Sequence, residues 1–224
     1  MNKILMAAGL MLLLPLAAQA KEKVAVAADT ITASRAFVES KAPAMNLLRE
    51  TTRRDMLDYL AADTLARVQN ALDGESQLLR PVTADFLKVQ LTPISTMEFR
   101  VLPGKKGQIV AAVYTIGGGT TAADSDVRFY DTEMKELKRD KIFKPALLED
   151  FLNHEGRNHK EKETLLELIP FPTVEYNLSP DSTTLTARLT VESYMGKEDY
   201  EKVKPYLQPQ ISYTWTGKKY ELSE

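Results

Sequence analysis

The feature that most constrains this chain is a change of hydrophobic period. Up to residue 74 apolar residues recur every third or fourth position, and beyond it they recur every second. In residues 84–92, Leu87, Val89 and Leu91 alternate with Lys88 and Gln90; in residues 96–102, Met97, Phe99 and Val101 alternate with Glu98 and Arg100. Successive side chains of a strand point to opposite faces, so both segments read as strands with one dry and one wet face. Residues 103–107 form a turn, and residues 108–116 are apolar on both faces, as a central strand is. Residues 126–130 add a fourth strand after a glycine-rich loop. Parallel pairing needs crossovers of about a dozen residues or more, so links this short predict an antiparallel meander.

On the amino-terminal side, Thr52 is positioned to cap a helix from Arg53, with Met56, Leu57 and Leu60 on one face and Arg53, Arg54, Asp55 and Asp58 in solvent. Asp63 or Thr64 opens a second predicted helix, in which Leu65, Val68 and Leu72 recur at helical spacing and Gly74 stands at the C-cap. Residues 145–168 return to helix, interrupted by the polar stretch 153–160 and ended by Pro170 and Pro172. A hairpin follows over residues 173–178 and 184–192, its inward set Val174, Tyr176, Leu178, Leu185, Ala187, Leu189 and Val191. A short helix over 197–204 leads to a last strand pair carrying Ile211, Tyr213, Trp215, Tyr220 and Leu222. The predicted class is α+β: mainly antiparallel sheet, a four-strand meander plus two later hairpin-like strand pairs, with helices packed on one face. That order is compatible with an old duplication of a helix-plus-sheet unit, although no residue-level repeat accompanies it.

The amino terminus has another character. Lys3 precedes an apolar run over residues 4–16, and Ala18-Gln19-Ala20 offers the small residues that a signal peptidase reads. As a helix the run rises about 20 Å against a hydrocarbon core of roughly 30 Å, which is short for a permanent anchor. Residues 1–20 therefore read as a cleavable signal peptide and Lys21 as the mature start. Residues 21–224 read as a single α+β domain with possible sub-units 30–140 and 141–224. The expected location is periplasmic or secreted, with no membrane insertion after cleavage. The chain has no cysteine, which excludes disulfides, thiolate zinc sites and lipid attachment at the cleavage site. Its formal charge is −2, and loss of Lys3 with the leader makes it −3, so no nucleic-acid partner is expected.

The runs RRDMLDYL (residues 53–60), DFLKVQLTPISTMEFRVLP (85–103), DSDVRFYDTEMKEL (124–137) and YLQPQISYTW (206–215) resemble the Bacteroidetes family catalogued as domain of unknown function 3256. The similarity spans most of the mature chain and is one of strand texture and order rather than of a catalytic signature. It implies an exported protein of about this length with no established activity, and it assigns no functional residues.

The candidate chemical groups each read more simply as structure. His154 and His159 stand five apart, whereas a helical zinc pair needs a spacing of four, so no metal site is expected there. Gly117-Gly118-Gly119 could approach an anion, but Asp124 and Asp126 follow and no Lys-Ser/Thr pair does; a flexible strand connection is the reading. Asp124, Asp126 and Asp131 lack the spacing of a calcium loop. No nucleophile elbow or Ser-x-x-Lys pair occurs, and no cofactor is expected. Tyr213 and Trp215 read as sheet core rather than as a sugar platform, and Tyr194, Tyr200 and Tyr206 as pins for the short helix.

Two functional classes follow. The first is a non-catalytic binding or structural envelope protein, with another envelope protein as its partner. Its expected contact face is the wet side of the meander, formed by Lys88, Gln90, Glu98, Arg100 and Arg128. The alternative is an enzyme acting on a cell-surface polymer through carboxylates, which requires a deep pocket lined by two or more facing acids.

Overall fold

The computed structural model describes residues 30–105 and 107–223; the predicted signal peptide and the Lys21 start lie outside them. Helix α1 (Ala33–Glu39) opens at Thr32, whose hydroxyl accepts the Arg35 N–H at 3.1 Å. Helix α2 (Glu50–Ala61) starts earlier than the predicted Thr52 cap, with Glu50 in its first turn held by Arg54 at 2.7 Å. Arg53 is not solvated. Its guanidinium is buried and donates to the Phe37 and Ser40 carbonyls, at 2.9 and 2.8 Å, which are left unpaired where α1 ends.

The helix predicted from Asp63 to Gly74 is instead a hairpin of β1 (Arg67–Gln69) and β2 (Glu75–Leu79). Asn70 decides it. Its Oδ1 accepts the N–H groups of Leu72 and Gly74, while its Nδ2 donates to Ser76 Oγ and the Leu91 carbonyl. Such local side-chain bonds compete with the helical ladder, and Asp63 and Asp73 at φ of 54° and 57° break it outright.

The meander prediction holds and is extended. Strands β3 (Phe86–Thr92), β4 (Ser95–Leu102), β5 (Ile109–Gly118) and β6 (Thr121–Tyr130) follow β1 and β2 in one antiparallel six-stranded sheet, in chain order. Its first face places Leu87, Val89, Leu91, Met97, Phe99 and Val101 against Phe37 of α1 and Met56 of α2. Complete burial of a side chain such as Phe99 contributes on the order of 1.5–3 kcal/mol.

The second face is covered too. Strands β7 (Val174–Leu178), β8 (Leu185–Leu189), β9 (Gln210–Trp215) and β10 (Tyr220–Leu222) form an antiparallel sheet in the order β10-β9-β8-β7. Its inward residues Val174, Tyr176, Leu185, Ala187, Ile211 and Tyr213 pack with Phe86, Ala111, Val113, Val127 and Phe129 of the larger sheet. The solvent-facing side of a sheet is therefore found on the smaller one, at Glu175, Asn177, Thr186, Arg188, Ser212 and Thr214. The predicted helical stretch 145–168 is broken into a 3-10 turn (Leu148–Phe151), α3 (His154–Arg157) and α4 (Lys162–Glu167), and α5 (Lys197–Val203) follows β8.

Candidate interaction surface

The five residues predicted to share a wet face do not share one. Glu98 and Arg100 are 3% and 5% exposed, beneath the smaller sheet, with Lys88 and Gln90 half-buried at its margin. Arg128 lies on the other face. It pairs with Ala112 and so with the Phe99 row, whereas Val127 pairs with Val113 and so with the Glu98 row. An outward Arg128 on that wet face implies Val127 and Phe129 beneath the helices; the phase is inverted, and both pack under the second sheet. Arg128 is held at its own edge by Asp126 at 2.6 Å and Glu136 at 3.3 Å.

Polar groups along the seam between the sheets, with Glu98, Arg100 and Thr190 buried among them, serve as clamps. As the edge of its sheet, β7 presents N–H groups that no strand receives. Asp124 Oδ1 accepts Val174 N–H at 3.1 Å, Ser125 Oγ accepts Tyr176 N–H at 3.0 Å, and Glu98 Oε2 accepts Leu178 N–H at 2.7 Å. Arg100 donates to the Pro180 carbonyl and pairs with Asp85, both at 2.8 Å, and Thr190 Oγ1 donates to the Ala123 carbonyl at 2.7 Å. Burial pushes the Glu98 carboxyl above the usual carboxylate range, opposed by Lys88 at 2.7 Å.

The remaining candidates are also engaged locally. His159 stacks edge-on with Tyr206 and its Nδ1 accepts Glu161 N–H, while His154 lies beside Asn158. Asp131 closes its own turn by accepting the N–H groups of Glu133 and Lys135, so the three aspartates do not converge. Among the described residues no group of three or more His, Asp or Glu side chains is placed to hold a metal ion. Tyr213 and Trp215 are core, with the indole donating to the Pro103 carbonyl at 2.6 Å. A cleft of about 510 Å³ beside β10 has Asp140, Asp150 and Glu221 in its lining, but Asp150 accepts Leu147 N–H and Glu221 pairs with Lys219. A second cleft, of about 870 Å³, runs past Lys105, Asp131, Trp215 and Lys218.

A different surface stands out on one end of the molecule. In a meander alternate turns share an end, so the turns after β1, β3 and β5 lie together. They are tied to one another: Asn70 Nδ2 donates to the Leu91 carbonyl, and Gly117 N–H to the Ile94 carbonyl. Thr190, bonded to both Ala123 and Thr173, brings the segments flanking β7 and β8 to the same end. On these loops Leu72 is 67% exposed, Ile94 60%, Ile116 49%, Phe171 74% and Tyr194 41%. Asp73 is the one charged residue in segments 70–74, 92–95, 116–121, 170–173 and 193–196, in a chain that is 27% charged. Gly117 permits the sharp β5–β6 return: at φ 94° a Cβ would stand 2.0 Å from the Ala122 carbonyl oxygen. No periodicity signals these residues. The usable sign is an apolar residue set among chain breakers, as in Thr-Pro-Ile-Ser and Pro-Phe-Pro, where no strand or helix can turn it inward, and in Ile-Gly-Gly-Gly, where a strand runs out.

No curated protein matches the chain. A solved structure, that of a domain of an uncharacterized protein from Porphyromonas gingivalis W83, superposes with a TM-score of 0.72 at 22% identity, over 87% of this chain and 99% of that one. This likeness bears on the fold alone. The family model described as protein of unknown function (DUF3256) matches residues 24–220, which takes in the six-stranded sheet and the smaller one as far as the start of β10, and the chain belongs to that family.

Proposed function

We propose that this chain is an exported, non-catalytic binding protein of the cell envelope, freed of residues 1–20 and acting as one α+β unit in the periplasm or outside the cell. The observation that carries the reading is the cluster of protruding apolar side chains on nearly uncharged loops at one end. Solvated apolar groups gathered in one place, while polar groups such as Glu98 and Arg100 are turned to internal clamping, fit a surface built to be covered. Lys3, the apolar run 4–16 and Ala18-Gln19-Ala20 support the export half of the proposal.

Site-specific photocrosslinking in intact cells tests it. A photoreactive residue at Ile94 or Phe171 should yield adducts with envelope components on a chain whose mass begins at Lys21, and one at Lys218, across the molecule, should yield none. Equal labelling from both ends, or an unprocessed chain in the cytoplasm, would overturn the proposal.

A further inference from the structure

The occupant of the apolar end follows from its shape and its charge. We infer that it is the surface of a lipid bilayer, entered by Leu72, Ile94, Ile116 and Phe171 to side-chain depth; this rests on the docking role proposed above for the same loops. Three observations support it.

The side chains project. Leu72, Ile94 and Phe171 stand on turns or bends and Ile116 near the end of β5, each with 49–74% of its surface free, and none of them lines the two clefts described above. A folded partner would have to offer a separate hollow for each projection, whereas acyl chains close around any shape. The tips of these loops are also poor in charge. Removing charge from water is the large cost of entering the interfacial zone, and these loops carry Asp73 alone. Exposed Arg49, brought near by the Ala71–Leu47 bond, and Lys197 stand at the rim together with Glu75, Asp124 and Glu192, so the end has no cationic excess to draw anionic headgroups, and a neutral lipid is the matching surface. Finally, the projections are fixed. The Gly117–Ile94 bond holds two turns side by side, and Phe171 sits between Pro170 and Pro172 with its carbonyl accepting the Tyr194 hydroxyl. A tyrosine ring beside an apolar anchor is the arrangement that suits a membrane–water interface. Entry is limited in depth, because the β5–β6 turn at Gly118 and Gly119 is irregular backbone in open space, and such backbone is not carried into the hydrocarbon. The contact is a shallow seat rather than a span, and no helix among the described residues is long and apolar enough to cross a membrane.

Flotation of the purified mature chain with pure phosphatidylcholine vesicles tests the inference. The chain should float with the vesicles equally at about 0.1 M and about 1 M salt, since screening acts on charge and not on apolar contact. Phe171→Ser and Ile94→Ser should each lower the partition coefficient about tenfold, the scale expected for one large apolar side chain. Leu65→Ser, an equally exposed site beyond the far end of β1, should leave it unchanged, and unaltered melting would show all three variants folded. Binding that needs anionic lipid and disappears in salt would overturn the inference. So would a lipid-free dimer abolished by Phe171→Ser, which would make the occupant a second copy. If vesicles fail while the cellular crosslinks from Ile94 go to a protein, the lipid is wrong and the docking end stands. If both fail, the docking end falls with it.

Discussion

The two faces of the six-stranded sheet are equally dry and differently built. Under α1 and α2 the buried central rows are apolar, with Leu87, Val89, Met97, Phe99 and Ala112 side by side. Under the smaller sheet the same strands turn Glu98 and Arg100 inward among Phe86, Val113 and Phe129. The difference lies in what each cover brings. A helix satisfies its own backbone, so the surface beneath it can be wholly apolar. A sheet laid down edge-first brings unpaired N–H groups, and buried donors without partners are costly. The six-stranded sheet therefore supplies acceptors at Asp124, Ser125 and Glu98 for alternate residues of β7, and a donor at Arg100 for the turn beyond it.

The largest expected effect tests whether the faces are equally dry. Phe99→Ala opens a cavity under the helices and Phe129→Ala one under the second sheet; both rings are fully buried. Each should cost about 3–5 kcal/mol in urea unfolding. A Phe129→Ala cost below about 1 kcal/mol would mean that water already reaches that face, and the comparison would break.

The next effect tests the clamps. Arg100→Glu sets a carboxylate against Asp85 and removes the donor to the Pro180 carbonyl, inside the protein. Leaving an unpaired carboxylate at a position whose side chain is 6% exposed, beside a half-exposed Asp85, should cost about 3–5 kcal/mol. Arg128→Glu, on a residue whose side chain is 38% exposed at the sheet edge, should stay within about 1 kcal/mol. Two equally small losses by thermal unfolding would return both arginines to solvent.

The strand alternation makes β3 to β5, the dry rows under the helices and the inward set of β7 to β9 legible in the sequence. It cannot say what lies on the other side. Lys88-x-Gln90 and Glu98-x-Arg100 have the same pattern whether the polar row faces water or a second sheet, because the cover comes from residues about eighty positions away. The phase of β6 departs from the alternation for a related reason: Arg128 and Asp126 satisfy each other at the edge, so position in the register, not polarity, sets their side. The false helix after Asp63 shows local chemistry overriding period, since Asn70 fixes a turn that apolar spacing cannot report. The candidate end was unreadable as a pattern because it is assembled from the tips of separate turns.

The smallest effect refines the comparison at Glu98 itself. Burial raises its carboxyl, so the folded chain keeps a proton that the unfolded chain releases in the ordinary carboxylate range. The stability this contributes is fully present below that range and is lost as pH rises toward the folded value. Glu98→Gln does not titrate, and its amide oxygen can still accept Leu178 N–H. Between about pH 4 and pH 7 wild type should therefore lose stability relative to Glu98→Gln, by less than either change above, when urea midpoints are compared at each pH. Lys88→Met in the wild-type background should steepen the loss, because it removes the cation that offsets burial. If wild type instead gains on Glu98→Gln as pH rises, the Lys88 pair outweighs desolvation, and the second face holds a stabilising ion pair rather than a clamp maintained against the cost of burying it.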